Sequence, residues 1–94
     1  MLRTSQPKAE DAGEIALKLL SFLAGDADQL GRFMALSGLS PQDVRQNLQE
    51  PQFQAGLLDF ALSDESLLLA FAANEGLDPA SVMRARSRLP GFSG

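Results

Sequence analysis

The sequence contains no cysteine, no histidine, no tryptophan and no tyrosine. Without cysteine the chain forms no disulfide and supplies no thiolate nucleophile. Without histidine it lacks the side chain that most often acts as a general base or metal ligand near neutral pH. Any catalysis would depend on carboxylates, hydroxyls or Lys18. The sequence therefore predicts a protein that is not an enzyme and that binds neither a cofactor nor a metal ion.

Valine and isoleucine are also scarce, whereas leucine and alanine are abundant. This balance disfavours β-strands, which are enriched in β-branched and aromatic residues. Hydrophobic residues make up 45% of the 94 residues, enough for the core of one small domain. The composition predicts an all-α fold.

The net charge of the chain and the length of its apolar stretches limit the partners that the sequence allows. The net charge of −4 works against indiscriminate binding of nucleic acid. An apolar stretch near the N-terminus superficially suggests a secretion signal, but it follows Asp11 and Glu14 and is interrupted by Lys18. The longest apolar run, residues 67–73, is too short to span a bilayer. We therefore expect no membrane association and a cytoplasmic location.

Capping residues, prolines and glycines divide the chain into short helical segments. The predicted helices span 9–24, 27–37, 41–49, 51–62, 65–75 and 79–89, between a loose terminus at 1–8 and a tail at 91–94. Residues 9–90 should form one domain, a compact all-α bundle of five to six short helices. Phe22, Phe33, Phe60 and Phe71 are expected in its core.

The second half of the chain repeats the pattern of the first at a distance of 38 residues. The matched pairs include Leu19 with Leu57, Phe22 with Phe60, Asp26 with Asp64, Phe33 with Phe71, Gly38 with Gly76, Pro41 with Pro79 and Val44 with Val82. These are caps, helix stops and apolar positions, so they predict two similar three-helix halves at about 13–50 and 51–89. The alternative is that any compact helical protein reuses the same helix caps and stop residues without a true repeat.

Four segments carry a resemblance to a known family. They are "ALKLLSFLAGD", "LGRFMALSGLSPQDVR", "DESLLLAF" and "GLDPASVMRARSRL", which together span roughly residues 14 to 90. The chain resembles domain-of-unknown-function family 3572, found mainly in alphaproteobacteria. The resemblance implies a short helical, cytoplasmic protein and implies no activity, so it assigns no functional residues.

The segment "ESLLLAFAANE" is apolar on more than one face. A surface helix needs only one apolar stripe, so this helix is either central in the fold or exposed as a contact surface. Central burial is the first expectation. In the second case Leu67 and Leu69 are the candidate protein-contact residues, and the partner is another protein or a second copy of the chain in a homodimer.

A DNA-binding helix-turn-helix is the alternative function. The sequence around Gly38 and Gly76 has the glycine, short turn and inward valine of that motif. Arg84, Arg86 and Arg88 make the helix at 79–89 locally basic and are its candidate nucleic-acid contacts. Arginines near a helix C-terminus are also favoured by the helix dipole alone, and the acidic balance of the chain opposes DNA binding.

Acidic residues cluster before the apolar helix, at Asp59, Asp64 and Glu65. Paired carboxylates can serve acid–base or metal chemistry. Here Asp64 is better explained as a helix cap and Glu65 as a first-turn residue. No catalytic role is predicted for them.

Overall fold

A computed structural model describes residues 11–91, and within that range all regular structure is α-helical. The helices are α1 Ala12–Ala24, α2 Ala27–Ser37, α3 Pro41–Gln46, α4 Pro51–Leu62, α5 Glu65–Glu75 and α6 Pro79–Ser87. The predicted all-α bundle is confirmed. The predicted loose terminus at 1–8 and most of the tail at 91–94 lie outside the described residues.

Side-chain caps begin most of these helices, and those at Asp26, Ser40, Asp64 and Asp78 follow the sequence prediction. The prediction of a first helix from residue 9 missed the cap at Asp11, after which α1 begins. Amide groups in the first turn donate hydrogen bonds to the side chains of Asp11, Asp26, Ser40, Asp64 and Asp78. At Ser40 the capping box is complete, because the Asp43 carboxylate also accepts from the Ser40 amide at 3.0 Å. Gly38 and Gly76 end α2 and α5 in the left-handed conformation, with φ of 73° and 68°.

Two helices end earlier than predicted. The predicted end of α3 near Gln49 is wrong, because Asn47 leaves the helix and its side chain donates to the Asp43 carbonyl at 2.7 Å. The helix α6 ends at Ser87 rather than at 89, and the chain closes with a tighter turn before Pro90. A residue that precedes proline is disfavoured in the helical conformation, which explains this second difference.

Helix α4 is the centre of the bundle and packs against α1, α2, α5 and α6. Its buried residues are Phe53, Gln54, Ala55, Leu57, Leu58, Phe60 and Ala61. The expectation that the apolar helix α5 is central is therefore wrong. Helix α5 buries only Leu67, Phe71 and Ala72, and leaves its remaining surface half-buried or open to solvent.

The aromatic core is close to the predicted one. Phe33, Phe60 and Phe71 are buried, and Phe22 is half-buried with its ring centroid 5.6 Å from that of Phe71. This tilted ring contact joins α1 to α5 across the bundle. Among the described residues, no helix has the length and apolarity needed to cross a membrane.

Some helix boundaries recur at the 38-residue spacing, namely both ends of α2 and α5 and the starts of α3 and α6. Helices α2 and α5 have equal lengths, and their caps Asp26 and Asp64 have almost the same backbone angles. Burial does not recur in the same way, since Gln54 and Arg86 are buried polar residues of the second half. The Gln54 amide donates to the Leu48 carbonyl at 3.0 Å and so ties α4 to the preceding turn.

Acid is expected to weaken the fold through its capping carboxylates. The Leu67 amide, followed by Arg32, holds the pKa of Asp64 below its ordinary value of 3.8. The Ser40 amide and hydroxyl lower the pKa of Asp43 in the same way. A carboxylate whose pKa is lower in the folded state than in the unfolded state stabilises the fold at pH values above its unfolded pKa. This stabilisation is lost as the pH falls through the folded pKa.

Urea unfolding of wild type and Asp64→Asn between about pH 7 and pH 2 tests this expectation. Asparagine also caps helices well, so the variant removes mainly the charge and its contact with Arg32. We expect the variant to be less stable at pH 7 and the difference to disappear at the acid end. A difference that stays constant over the whole range would contradict the assignment.

Candidate functional site

An apolar groove of about 480 Å³ runs along one face of α4, between that helix and the end of α2. The lining residues from α4 and its C-cap are Gln52, Phe53, Gly56, Asp59, Phe60 and Ser63, which recur at helical spacing. The remaining lining residues come from α2 and the turn that follows it: Phe33, Leu36, Ser37 and Leu39. We call this feature the α2–α4 groove.

Three phenylalanine rings form the floor of the α2–α4 groove. The Phe33 ring lies 5.5 Å from Phe60 and 6.1 Å from Phe53, edge to face in both cases. Such pairs are favourable beyond the burial of their area, and all three residues belong to the core. The floor is therefore a fixed surface and not a set of loose side chains.

Arg32 closes one side of this aromatic cluster. Its guanidinium carbon lies 5.5 Å from the Phe60 ring centroid, and its Nη1 is 3.2 Å from an oxygen of Asp64. A cation over an aromatic face is attracted by the ring electrons. The cap of α5 is thereby joined to α2, which keeps the edge of the groove in place.

The rim of the groove combines an exposed leucine with a glycine. Leu36 is 74% exposed, and a single exposed leucine is common, but this one continues the apolar lining of the groove. Gly56 lies in the middle of α4, where glycine costs roughly 0.5–1 kcal/mol relative to alanine. A Cβ atom added there would meet no atom within 4 Å, so neither packing nor backbone conformation requires the glycine.

The charged group in the lining is Asp59, which forms an ion pair with Arg86 of α6. The Arg86 Nε donates to the Asp59 Oδ1 at 2.7 Å, and its Nη1 donates to the carbonyls of Leu89 and Pro90. The Arg86 side chain is 7% exposed and that of Asp59 is 58% exposed. The pair therefore turns its positive end into the protein and its negative end towards the groove.

The structure separates the two leucines predicted as protein contacts. Leu67 is 3% exposed and belongs to the core, so its prediction as a contact residue is wrong. It lies on the face of α5 that packs inward with Phe71. Leu69 is 48% exposed on the other side of the helix and remains available for contact.

The structure likewise separates the three arginines of the DNA-binding alternative. Arg86 is buried and paired with Asp59, so it is not available to contact nucleic acid. Arg84 and Arg88 are exposed, and a guanidinium nitrogen of Arg84 lies 3.3 Å from the Ser81 hydroxyl. Of the three predicted nucleic-acid contacts on α6, only Arg84 and Arg88 therefore remain exposed.

Two of the three carboxylates that cluster in the sequence, Asp59 and Asp64, have structural partners. Asp64 caps α5 through the Leu67 amide at 3.2 Å, as predicted, and Asp59 pairs with Arg86. Across residues 11–91 the acidic side chains form no group of three suited to hold a metal ion.

Sequence reasoning missed the groove itself. Two signals pointed to it: Leu36 lies at the edge of the stripe formed by Leu30, Phe33 and Met34, and Gly56 interrupts an apolar helix without ending it. The pairing of Arg86 with Asp59 joins residues 27 positions apart and left no local signal.

These features define a small all-α bundle with an open apolar groove on its central helix. The chain belongs to the family described as Protein of unknown function (DUF3572), whose family model matches residues 9–92. This match confirms the resemblance carried by the sequence. Neither the curated proteins nor the solved structures give a match.

Proposed function

We propose that this protein is a small, non-enzymatic, cytoplasmic module that binds another protein through the α2–α4 groove. The observation that carries the proposal is the continuity of the aromatic floor with the exposed Leu36 and the bare backbone at Gly56. Apolar surface left open on a small domain marks a contact site when it is contiguous and rigidly supported. The lack of cysteine and histidine supports the non-enzymatic part of the proposal, and the charged residues within the N-terminal apolar stretch support the cytoplasmic part.

Two matched substitutions test the groove. Gly56→Leu places a side chain in the α2–α4 groove, and Gly31→Leu places the same side chain on α2, where a Cβ also meets no atom within 4 Å. Gly31 does not line the groove. Leucine is the better helix former by about 0.8 kcal/mol, so both variants should fold with a raised melting temperature.

The binding measurement uses the full chain as bait in lysate of its own organism, with and without nuclease. The protein captured after nuclease treatment is purified, and its affinity for each variant is measured by calorimetry. We expect Gly56→Leu to weaken binding by about tenfold or more and Gly31→Leu to leave it unchanged. Equal affinity for both variants would refute the groove as the contact surface. If the captured material is nucleic acid and is lost on nuclease treatment, the DNA-binding alternative would be favoured.

A further inference from the structure

One face of a single helix, α4, forms one wall of the α2–α4 groove. The lining residues of that wall extend from Gln52 to Ser63. At 1.5 Å per residue this stretch is about 16 Å long, which is about three helical turns. An extended or helical segment of a partner can lie along it.

From this shape we infer that the occupant is a basic amphipathic α-helix of about three turns, laid along α4 with its apolar face on the three phenylalanines. The inference rests on the proposed function, since it names the kind of partner that the groove accepts. Three observations support the helix and its charge: the volume of the groove, the position of Gly56 and the environment of Asp59.

The volume fits the anchors of one helix face. An apolar cavity of about 150 Å³ accommodates one benzene ring, so a groove of about 480 Å³ accommodates about three apolar side chains. Residues at positions i, i+4 and i+7 of a helix supply three side chains on one face over two turns. An extended strand of the same length directs only alternate residues to one side and leaves its backbone groups without partners, because α4 offers no strand edge.

Gly56 lies near the middle of the lined stretch of α4. Packed helices approach to about 8–10 Å, and small residues at the contact permit the shorter distance. With no side chain at this position, the partner helix can lie close to the backbone of α4 and reach the phenylalanine floor. This role explains a glycine that neither backbone conformation nor internal packing requires.

The charge of the partner follows from Asp59, because the cation at the edge of the groove, Arg32, is already paired with Asp64. The Asp59 carboxylate is more than half exposed beside the groove, and the remaining polar lining residues, Gln52, Ser37 and Ser63, are uncharged. A carboxylate offers about four acceptor sites, so Asp59 can accept from a lysine or arginine of the partner while it holds Arg86. The net charge of −4 attracts a basic helix and opposes a second acidic copy of this chain.

An unbiased selection tests both parts of the inference. Random peptides of about sixteen residues, long enough for four helical turns, are displayed on phage and selected against the intact wild-type protein. A parallel selection uses Gly56→Leu, and only sequences enriched on wild type alone are retained. We expect these sequences to carry apolar residues at i, i+3 or i+4 and i+7, with an excess of lysine and arginine on the other face.

One enriched peptide is then synthesised and measured directly. Circular dichroism should show that it gains helix on binding, and the affinity should fall about tenfold when its basic residues are replaced by glutamine. Binding should also weaken as salt is raised from about 50 to 300 mM.

The outcomes separate this inference from the proposed function. Peptides that depend on Gly56 but bind in an extended form, or carry acidic flanks, would refute the basic helix and leave the groove as a protein-binding surface. If no peptides are enriched on wild type relative to Gly56→Leu, both the basic helix and the groove as a protein-binding surface are refuted. Concentration-dependent dimerisation of wild type that Gly56→Leu abolishes would assign the groove to a second copy and overturn the inference.

Discussion

Leu67→Asp is expected to unfold the domain, whereas Leu69→Asp, only two residues away, is expected to leave it folded. Leu67 lies in the core and Leu69 faces solvent on the same helix, α5. An aspartate at position 67 loses about 1.5–3 kcal/mol of leucine burial and adds a buried charge without a partner. The sum exceeds about 4 kcal/mol, a large part of the 5–15 kcal/mol typical of whole domains.

Circular dichroism at room temperature and urea unfolding distinguish the two variants. Both substitutions replace leucine with the same residue in the same helix, so helix propensity and net charge are matched between them. We expect the helical signal to be lost for Leu67→Asp and kept for Leu69→Asp, with a change of less than about 1 kcal/mol for the latter. A folded Leu67→Asp would show that α5 does not pack as described.

Asp59→Ala is the second substitution with a large expected effect, although Asp59 is an exposed residue. Its removal leaves the buried Arg86 guanidinium without the carboxylate that lies 2.7 Å from it. Breaking a fully buried ion pair from one side costs about 3–5 kcal/mol. Here the cost is lower, because the Asp59 side of the pair is exposed and Arg86 keeps its hydrogen bonds to the Leu89 and Pro90 carbonyls. We expect a loss of about 2–3 kcal/mol in the free energy of unfolding.

Arg86→Met provides the matched control for this expectation. Methionine fills irregular core space. The acceptors that lose Arg86 are the exposed Asp59 and the carbonyls of the half-buried Leu89 and the exposed Pro90, so the loss should be about 1 kcal/mol. In the double variant, Asp59→Ala should add almost nothing to the effect of Arg86→Met. Urea unfolding of the four proteins gives the coupling energy. Equal and additive losses would show that the ion pair does not carry the stability assigned to it.

The same ion pair connects the stability of the bundle with the proposed binding surface. Asp59 lines the α2–α4 groove and also holds Arg86, which binds the carbonyls of the segment that follows α6. Changes at Asp59 therefore affect folding and partner binding together. For this reason the groove is better tested at Gly56, where a side chain can be added without removing an internal contact.

Helix boundaries were largely predictable because their causes are local. A side chain such as Asp64 accepts from an amide three residues on, and a glycine such as Gly76 adopts a left-handed conformation, whatever the rest of the chain does. The two wrong helix ends, after Gln46 and Ser87, occur where a local helical pattern continues. In the first case the Asn47 side chain takes the Asp43 carbonyl, and in the second Pro90 disfavours a helical conformation at Leu89.

Residue composition and local punctuation in the sequence by themselves determined that the protein is all-α, where most of its helices begin and end, and which family it belongs to. Only the tertiary structure decided that α4 and not α5 is central. It decided that Leu67 is buried whereas Leu69 is exposed, and that Arg86 is buried and paired with Asp59. It also decided the existence of the α2–α4 groove. Burial depends on which helix faces meet, and these contacts join residues that are far apart in the chain. The periodicity of one helix shows which of its faces is apolar, but not which helix packs against that face.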